Sequence, residues 1–115
     1  MKDVRITVIK KHLDQDLINT YMPAERASRT RACSMRVGDT FVVSQPVMCP
    51  DGLCPWAWHD IESFVRIVAF DGQLEDQIPE NSWLRCCTDA FRPVTFLIEP
   101  LAEQFAQRSA AGRRL

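Results

Sequence analysis

Between Pro55 and Phe70 the apolar side chains Trp58, Ile61, Val65 and Val68 fall at i, i+3, i+7 and i+10, the spacing of one face of an α-helix. A stripe of that kind has to be covered, and one helix cannot cover itself. Pro55 suits the first helical position, where its missing N–H costs nothing. Asp71-Gly72 supplies a stop signal. Glu62 and Arg66, on the opposite side, are spaced for an i,i+4 pair. The helix is therefore expected from about 55 to 70, with strands as its cover.

The strands are written in the alternation of the remaining apolar residues. Val4, Ile6 and Val8 alternate with Arg5 and Thr7 and predict a half-buried strand from about 3 to 10. Thr40 to Ser44 is β-branched and aromatic and follows the Val37-Gly38-Asp39 turn signal. Trp83 to Cys87 reads as a third strand, and Val94, Phe96 and Ile98 alternate with Thr95, Leu97 and Glu99 in a fourth, the two joined as a hairpin across 88–93. Leu13, Leu17 and Tyr21 recur every four residues behind Asp14 and Asp16, which predicts a short helix over 13–22 ended by Pro23. Residues 24–32 read as a basic loop and 45–53, with two prolines and a glycine, as a second loop. The fold class expected is α+β: a small antiparallel or mixed sheet of about four strands packed on one main helix, with the short helix at its edge. A single globular domain over 1–108, closing on a helical turn at 101–107, and a frayed tail at 109–115 complete the reading.

A chain of 115 residues buries roughly two thirds of its unfolded surface and needs no staple. Its 14 basic and 15 acidic residues leave a net charge of −1, which argues against a nucleic-acid partner. Arg26, Arg29 and Arg31 in the basic loop carry no interleaved aromatics and read as a solvated or anion-facing edge. No apolar run is long enough to span a bilayer, and Met1-Lys2-Asp3-Val4 opens no signal-peptide pattern. A cytoplasmic protein with no membrane partner is the expectation. Five cysteines, an odd number in such a chain, argue for free thiols, metal ligands or a redox pair rather than a disulfide framework.

Their positions narrow the choice. Cys54 precedes Pro55 and so takes the N-cap of the main helix, where amide dipoles favour a thiolate, the form that acts as nucleophile or metal ligand. The alternative is plain core packing, since cysteine is among the most buried residue types. Cys86 and Cys87 are adjacent in a strand, so their side chains face opposite ways. Leu84 marks the core face for Cys86, and Cys87 is left for the site. Cys49 lies five residues before Cys54, a spacing that fits neither CxxC redox sites nor zinc knuckles. Cys33 needs the fold to bring it near the helix start. His59 shares a polar helix face with Glu62 and Arg66. Trp56 and Trp58 supply bulk for a core or an interface, each indole needing a partner for its N–H. Asp89 and Arg92 in the hairpin turn either pair with each other or hold an anionic group.

Three segments also resemble a known pattern: the opening strand from Val4 to Lys11, then Cys54-Pro55-Trp56-Ala57-Trp58-His59-Asp60-Ile61, and Cys86-Cys87-Thr88-Asp89-Ala90-Phe91-Arg92-Pro93-Val94-Thr95-Phe96. They resemble an uncharacterised family of small cysteine-containing bacterial proteins with a C-x-W-A-W-x-D-I helix start and a C-C-T-D-G-x-R-P-V-x-F hairpin. The likeness runs over most of residues 3–100. It implies a grouping of Cys33, Cys54, Cys86, Cys87, Asp60, Asp89 and Arg92 and leaves Cys49 and His59 outside it. Ala90 stands where that pattern has glycine. The likeness carries no activity with it.

The functional expectation is a small thiol-dependent enzyme. Cys54 is its nucleophile or redox thiol, with Cys33 or Cys87 as partner and Asp60 or Asp89 to orient groups or move a proton. Arg92, Trp56 and His59 are the candidate contacts to a small-molecule substrate, anionic where Arg92 meets it. One alternative is a soft-metal domain in which Cys33, Cys54, Cys86 and Cys87 hold zinc, copper or iron. A further alternative is a non-catalytic, self-associating domain, a homo-oligomer joined through its tryptophans.

Overall fold

The computed structural model describes residues 1–101. The helical turn expected at 101–107 and the tail at 109–115 lie outside the described residues, apart from Leu101. The elements run β1 (Val4–Lys11), α1 (Gln15–Tyr21), α2 (Ala24–Ala27), β2 (Thr40–Val43), α3 (Pro55–Ala69), β3 (Trp83–Cys86) and β4 (Val94–Pro100). The class is α+β. The four strands form one sheet in the order β2-β1-β4-β3, and each neighbouring pair is antiparallel, so the sheet is not mixed.

Alternation decides which face of the sheet is buried. Val4, Ile6 and Val8 of β1 and Val94, Phe96 and Ile98 of β4 are fully or almost fully buried. They share one apolar cluster with Ala57, Ile61, Val65 and Val68 of α3. The main helix thus covers the central strands along the stripe its sequence spells out, except that Ala57 is buried and Trp58 is only half-buried at the rim.

Two expectations about the helices change. In α1 the buried side chain is Ile18, while Tyr21 is 74% exposed. The four-residue spacing of Leu13, Leu17 and Tyr21 therefore marks the wrong face. Asp14 caps α1 by accepting the Leu17 N–H at 3.0 Å, which is the cap its sequence position calls for. The basic segment is not all loop, because Ala24–Ala27 makes one helical turn, α2. Glu62 and Arg66 are not among the ion pairs of the described residues.

The pairing of β1 with β4 shifts register between Val8 and Lys10. Ile9 is the additional residue of this bulge, and it exchanges the faces of the residues beyond it. Lys11 now pairs with Val94, on the side of the sheet that α3 covers. Its Nζ donates to the Cys33 carbonyl at 2.8 Å.

The C-terminus of α3 closes in a Schellman arrangement. Asp71 adopts φ 59°, its N–H donates to the Val68 carbonyl at 3.2 Å, and the Gly72 N–H donates to the Ile67 carbonyl at 2.8 Å. The left-handed position is thus taken by Asp71, which also pairs with Lys2 Nζ at 3.0 Å. Gly72 is needed for a different reason. A Cβ there would meet Ile67 Cγ2 at 2.8 Å and the Ile67 carbonyl oxygen at 3.3 Å. Ile67 is β-branched and stiff at that atom. Gly72→Ala is expected to cost about 1–3 kcal/mol, as overpacking does, and urea unfolding of the variant against the parent measures it.

Candidate functional site

Cys54 sits at the N-cap of α3, as its place before Pro55 requires, and its carbonyl accepts the Trp58 N–H at 2.9 Å. Its side chain makes no cap hydrogen bond. The sulfur is therefore free to face a pocket of ≈ 340 Å³ at the end of the helix-covered side of the sheet. Cys33, from the loop after α2, and Cys87, from the end of β3, line the same pocket. All three thiols are free and half-buried. Met35, Ala57, Val94 and Phe96 give it an apolar wall, and Trp56, 79% exposed, stands at its mouth.

Each cysteine is held by a different device. Cys54 is fixed by the helix start. Cys33 is fixed through its backbone by Lys11, the residue that the β1 bulge turns to this side. Cys87 extends the hairpin by one more backbone bond, its N–H donating to the Val94 carbonyl at 3.1 Å, and its sulfur accepts the Val94 N–H at 3.4 Å. Lys11 is absent from the sequence-derived set, and only the bulge, which alternation alone does not announce, brings it there.

The two faces of β3 are the reverse of the sequence expectation. Trp83 is 2% exposed, whereas Leu84 is 42% exposed and Cys86 is exposed with it. Cys86 is therefore not the core cysteine, and it lies apart from the pocket that Cys87 lines. The cause is Arg85, whose polarity hides the fact that it shares the inner face. Its guanidinium carbon lies 4.3 Å from the Phe64 ring centre and 4.5 Å from that of Trp83. An arginine on aromatic faces can close the edge of a core while its charge stays wet. Beneath it Phe64 and Trp83 meet edge to face at 4.9 Å.

The acidic candidates are both occupied. Asp60 Oδ2 accepts the Thr88 N–H at 2.8 Å and the Thr88 hydroxyl at 3.0 Å. This ties the second turn of α3 to the hairpin loop and holds the pocket's two sides at a fixed separation. Asp89 Oδ1 accepts the N–H groups of Phe91 and Arg92, and its Oδ2 pairs with Arg92 Nε at 3.3 Å. Asp89 and Arg92 thus pair with each other, and both line the pocket. His59 is exposed and does not line it.

Cys49 is also outside the pocket lining. Its thiol points at the carbonyls of Pro50 and Leu53, at 3.7 and 3.6 Å. Burial, with smaller contributions from Cys54 and Asp51, pushes that thiol above its ordinary range, so it stays protonated at neutral pH. Among the described residues no group of three or more His, Cys, Asp and Glu side chains is arranged to hold a metal ion. The four-thiol ligand set is not assembled, because Cys86 faces away.

The site is thus a thiol-lined pocket at one end of an α+β sheet, floored by the core and bounded by a helix start and a hairpin loop. Compared with family models, with curated proteins and with solved structures, the chain matches none.

The strand faces give a direct test. Cys87→Ser puts a hydroxyl into a half-buried position against Val94 and is expected to cost about 1–2 kcal/mol. Cys86→Ser, on the open face, should stay within about 0.5 kcal/mol of the parent. Thermal melts of the two variants compare them.

Proposed function

We propose that the protein is a small thiol-dependent enzyme acting on an electrophilic, anionic small molecule, with Cys54 as its nucleophile. The observation that carries this reading is that three free, half-buried thiols from three separate segments, Cys33, Cys54 and Cys87, line one pocket together with Arg92. The three thiols also pack against the margin of the apolar core; what packing does not require is the opening they share with a guanidinium. Of the three, Cys54 alone stands at a helix start, the kind of position at which thiols serve as nucleophiles.

In the proposed step the Cys54 thiol gives up its proton, and its sulfur forms a bond to the electrophilic atom of the substrate. The bond from that atom to the leaving group breaks, and the leaving group departs with the proton. Cys87 or Cys33 then stands ready as the second thiol of the pocket. Arg92 holds the anionic group, and Trp56 covers the opening. Asp60 acts as a positioning residue through Thr88, while Asp89 orients Arg92. The resemblance to small cysteine-containing bacterial proteins carries no activity, but it groups residues from the same corner of the fold. The positions it groups, Cys33, Cys54, Asp60, Cys87, Asp89 and Arg92, are pocket-lining residues, with Cys86 the exception.

Iodoacetamide labelling at neutral pH, read site by site by mass spectrometry, tests the assignment. Cys54 is expected to react first, ahead even of the exposed Cys86, and Cys49 last, its labelling rising only toward alkaline pH because its thiol is held protonated. Equal labelling of Cys54 and Cys86, or protection of Cys54 until unfolding, would make Cys54 a structural cap. Near-stoichiometric zinc, copper or iron in protein purified under reducing conditions would transfer the thiols to the soft-metal alternative.

A further inference from the structure

Beside the thiol pocket lies a second hollow of ≈ 480 Å³, lined by Met22, Arg26, Arg29, Thr30, Arg31 and Arg92. Four of its six lining residues are arginines and none is acidic. In a chain whose net charge is −1, this is a local concentration of positive charge rather than a share of an overall excess. Backbone carbonyls of the loop after α2 hold two of the four side chains. Arg92 Nη1 donates to the Arg31 carbonyl at 3.4 Å, and Arg31 Nη1 donates to the carbonyls of Ser28 and Thr30 at 3.3 and 3.2 Å.

Little neutralises them. Arg29 meets Glu25 at 3.8 Å with both side chains largely exposed, a contact worth little in water. Arg92 shares Asp89. Arg26 and Arg31 form no ion pair among those of the described residues. Four like charges around one concavity repel one another and raise the local potential, which favours a multiply charged anion between them. Guanidinium forks match phosphate oxygens two at a time. The hollow offers no aromatic ring on which a base could stack, which counts against single-stranded nucleic acid as the occupant.

We propose that this arginine hollow is a binding site for the phosphate or diphosphate group of a small molecule. Arg92 lines both the hollow and the thiol pocket, so a phosphate held by Arg92 lies beside the thiol pocket, within which the rest of its molecule would meet Cys54. The proposal rests on the thiol reading only for that second half. Anion binding itself stands on the arginines and is measurable without the thiol.

Isothermal titration of the full chain at low salt, with inorganic phosphate and pyrophosphate as probes, tests it. Pyrophosphate is expected to bind more tightly than phosphate, and added sodium chloride should weaken both. Arg26→Gln and Arg31→Gln, both at exposed positions that leave the core untouched, should each weaken pyrophosphate roughly tenfold. Arg36→Gln, outside the hollow, should leave it unchanged. Cys54→Ala should also bind pyrophosphate as the parent does. Absence of binding, an equal loss from Arg36→Gln, or tighter binding of citrate or of a single-stranded oligonucleotide than of pyrophosphate would overturn the proposal. Pyrophosphate binding together with unselective labelling of Cys54 would retire the thiol reading and leave the phosphate site standing.

Discussion

Ala57, Ile61, Val65 and Val68 press one side of α3 onto the row formed by Val4, Ile6, Val8, Phe96 and Ile98, and the placement of the helix-borne candidates Cys54 and Asp60 follows from that contact. Burying such side chains is the main favourable contribution available to a domain of this size. It fixes the helix along the central pair of strands. Once the helix is fixed, its N-terminus must come to the end of the sheet where β1 finishes and the hairpin loop after β3 begins. Cys54 reaches the pocket because the apolar stripe starts one turn beyond it.

At that end the packing gives way to polar constraints. Asp60 accepts two hydrogen bonds from Thr88, so the helix and the loop are joined by a charged acceptor rather than by further apolar contact. Lys11 does the corresponding work on the other wall, through the Cys33 carbonyl. A polar tether sets distance and direction more narrowly than an apolar contact, because hydrogen bonds weaken steeply off axis. The three thiols therefore rest on three different kinds of support: a helix cap, a lysine tether and a hairpin extension.

The sequence made the helix, the alternating strands and the N-cap cysteine legible because each depends on a local period or on one neighbour, such as Pro55 after Cys54. What it hid depends on partners far along the chain. The bulge at Ile9 exists only against β4, and without it Lys11 would be assigned to the open face. Arg85 looks like a solvent residue until Phe64 and Trp83 come beneath it, and reading it as such inverted the faces of β3. In α1 the apolar residues at 13, 17 and 21 offered a stripe, yet Ile18 is the side chain that is buried. The order of burial there is set by where the segment joins the hairpin, through His12 N–H to the Pro93 carbonyl at 2.9 Å and Asp14 N–H to the Phe91 carbonyl at 2.8 Å.

The same joint explains why the arginine hollow was invisible as a group. Arg26, Arg29 and Arg31 are close in sequence and read as an exposed basic edge, whereas Arg92 belongs to a turn 61 residues beyond Arg31. The backbone bonds from His12 and Asp14 fold the α1–α2 segment back beside that turn. The Arg92 to Arg31 carbonyl contact then holds Arg92 at the hollow that the other three arginines line. Like charges do not gather for stability, since each added guanidinium raises the cost of the others. Their assembly against that cost, at the edge of a pocket that already holds three thiols, joins the two concavities into one surface with an arginine half and a thiol half. Arg92 is the link between them: Asp89 orients it, and the thiol pocket and the arginine hollow share it.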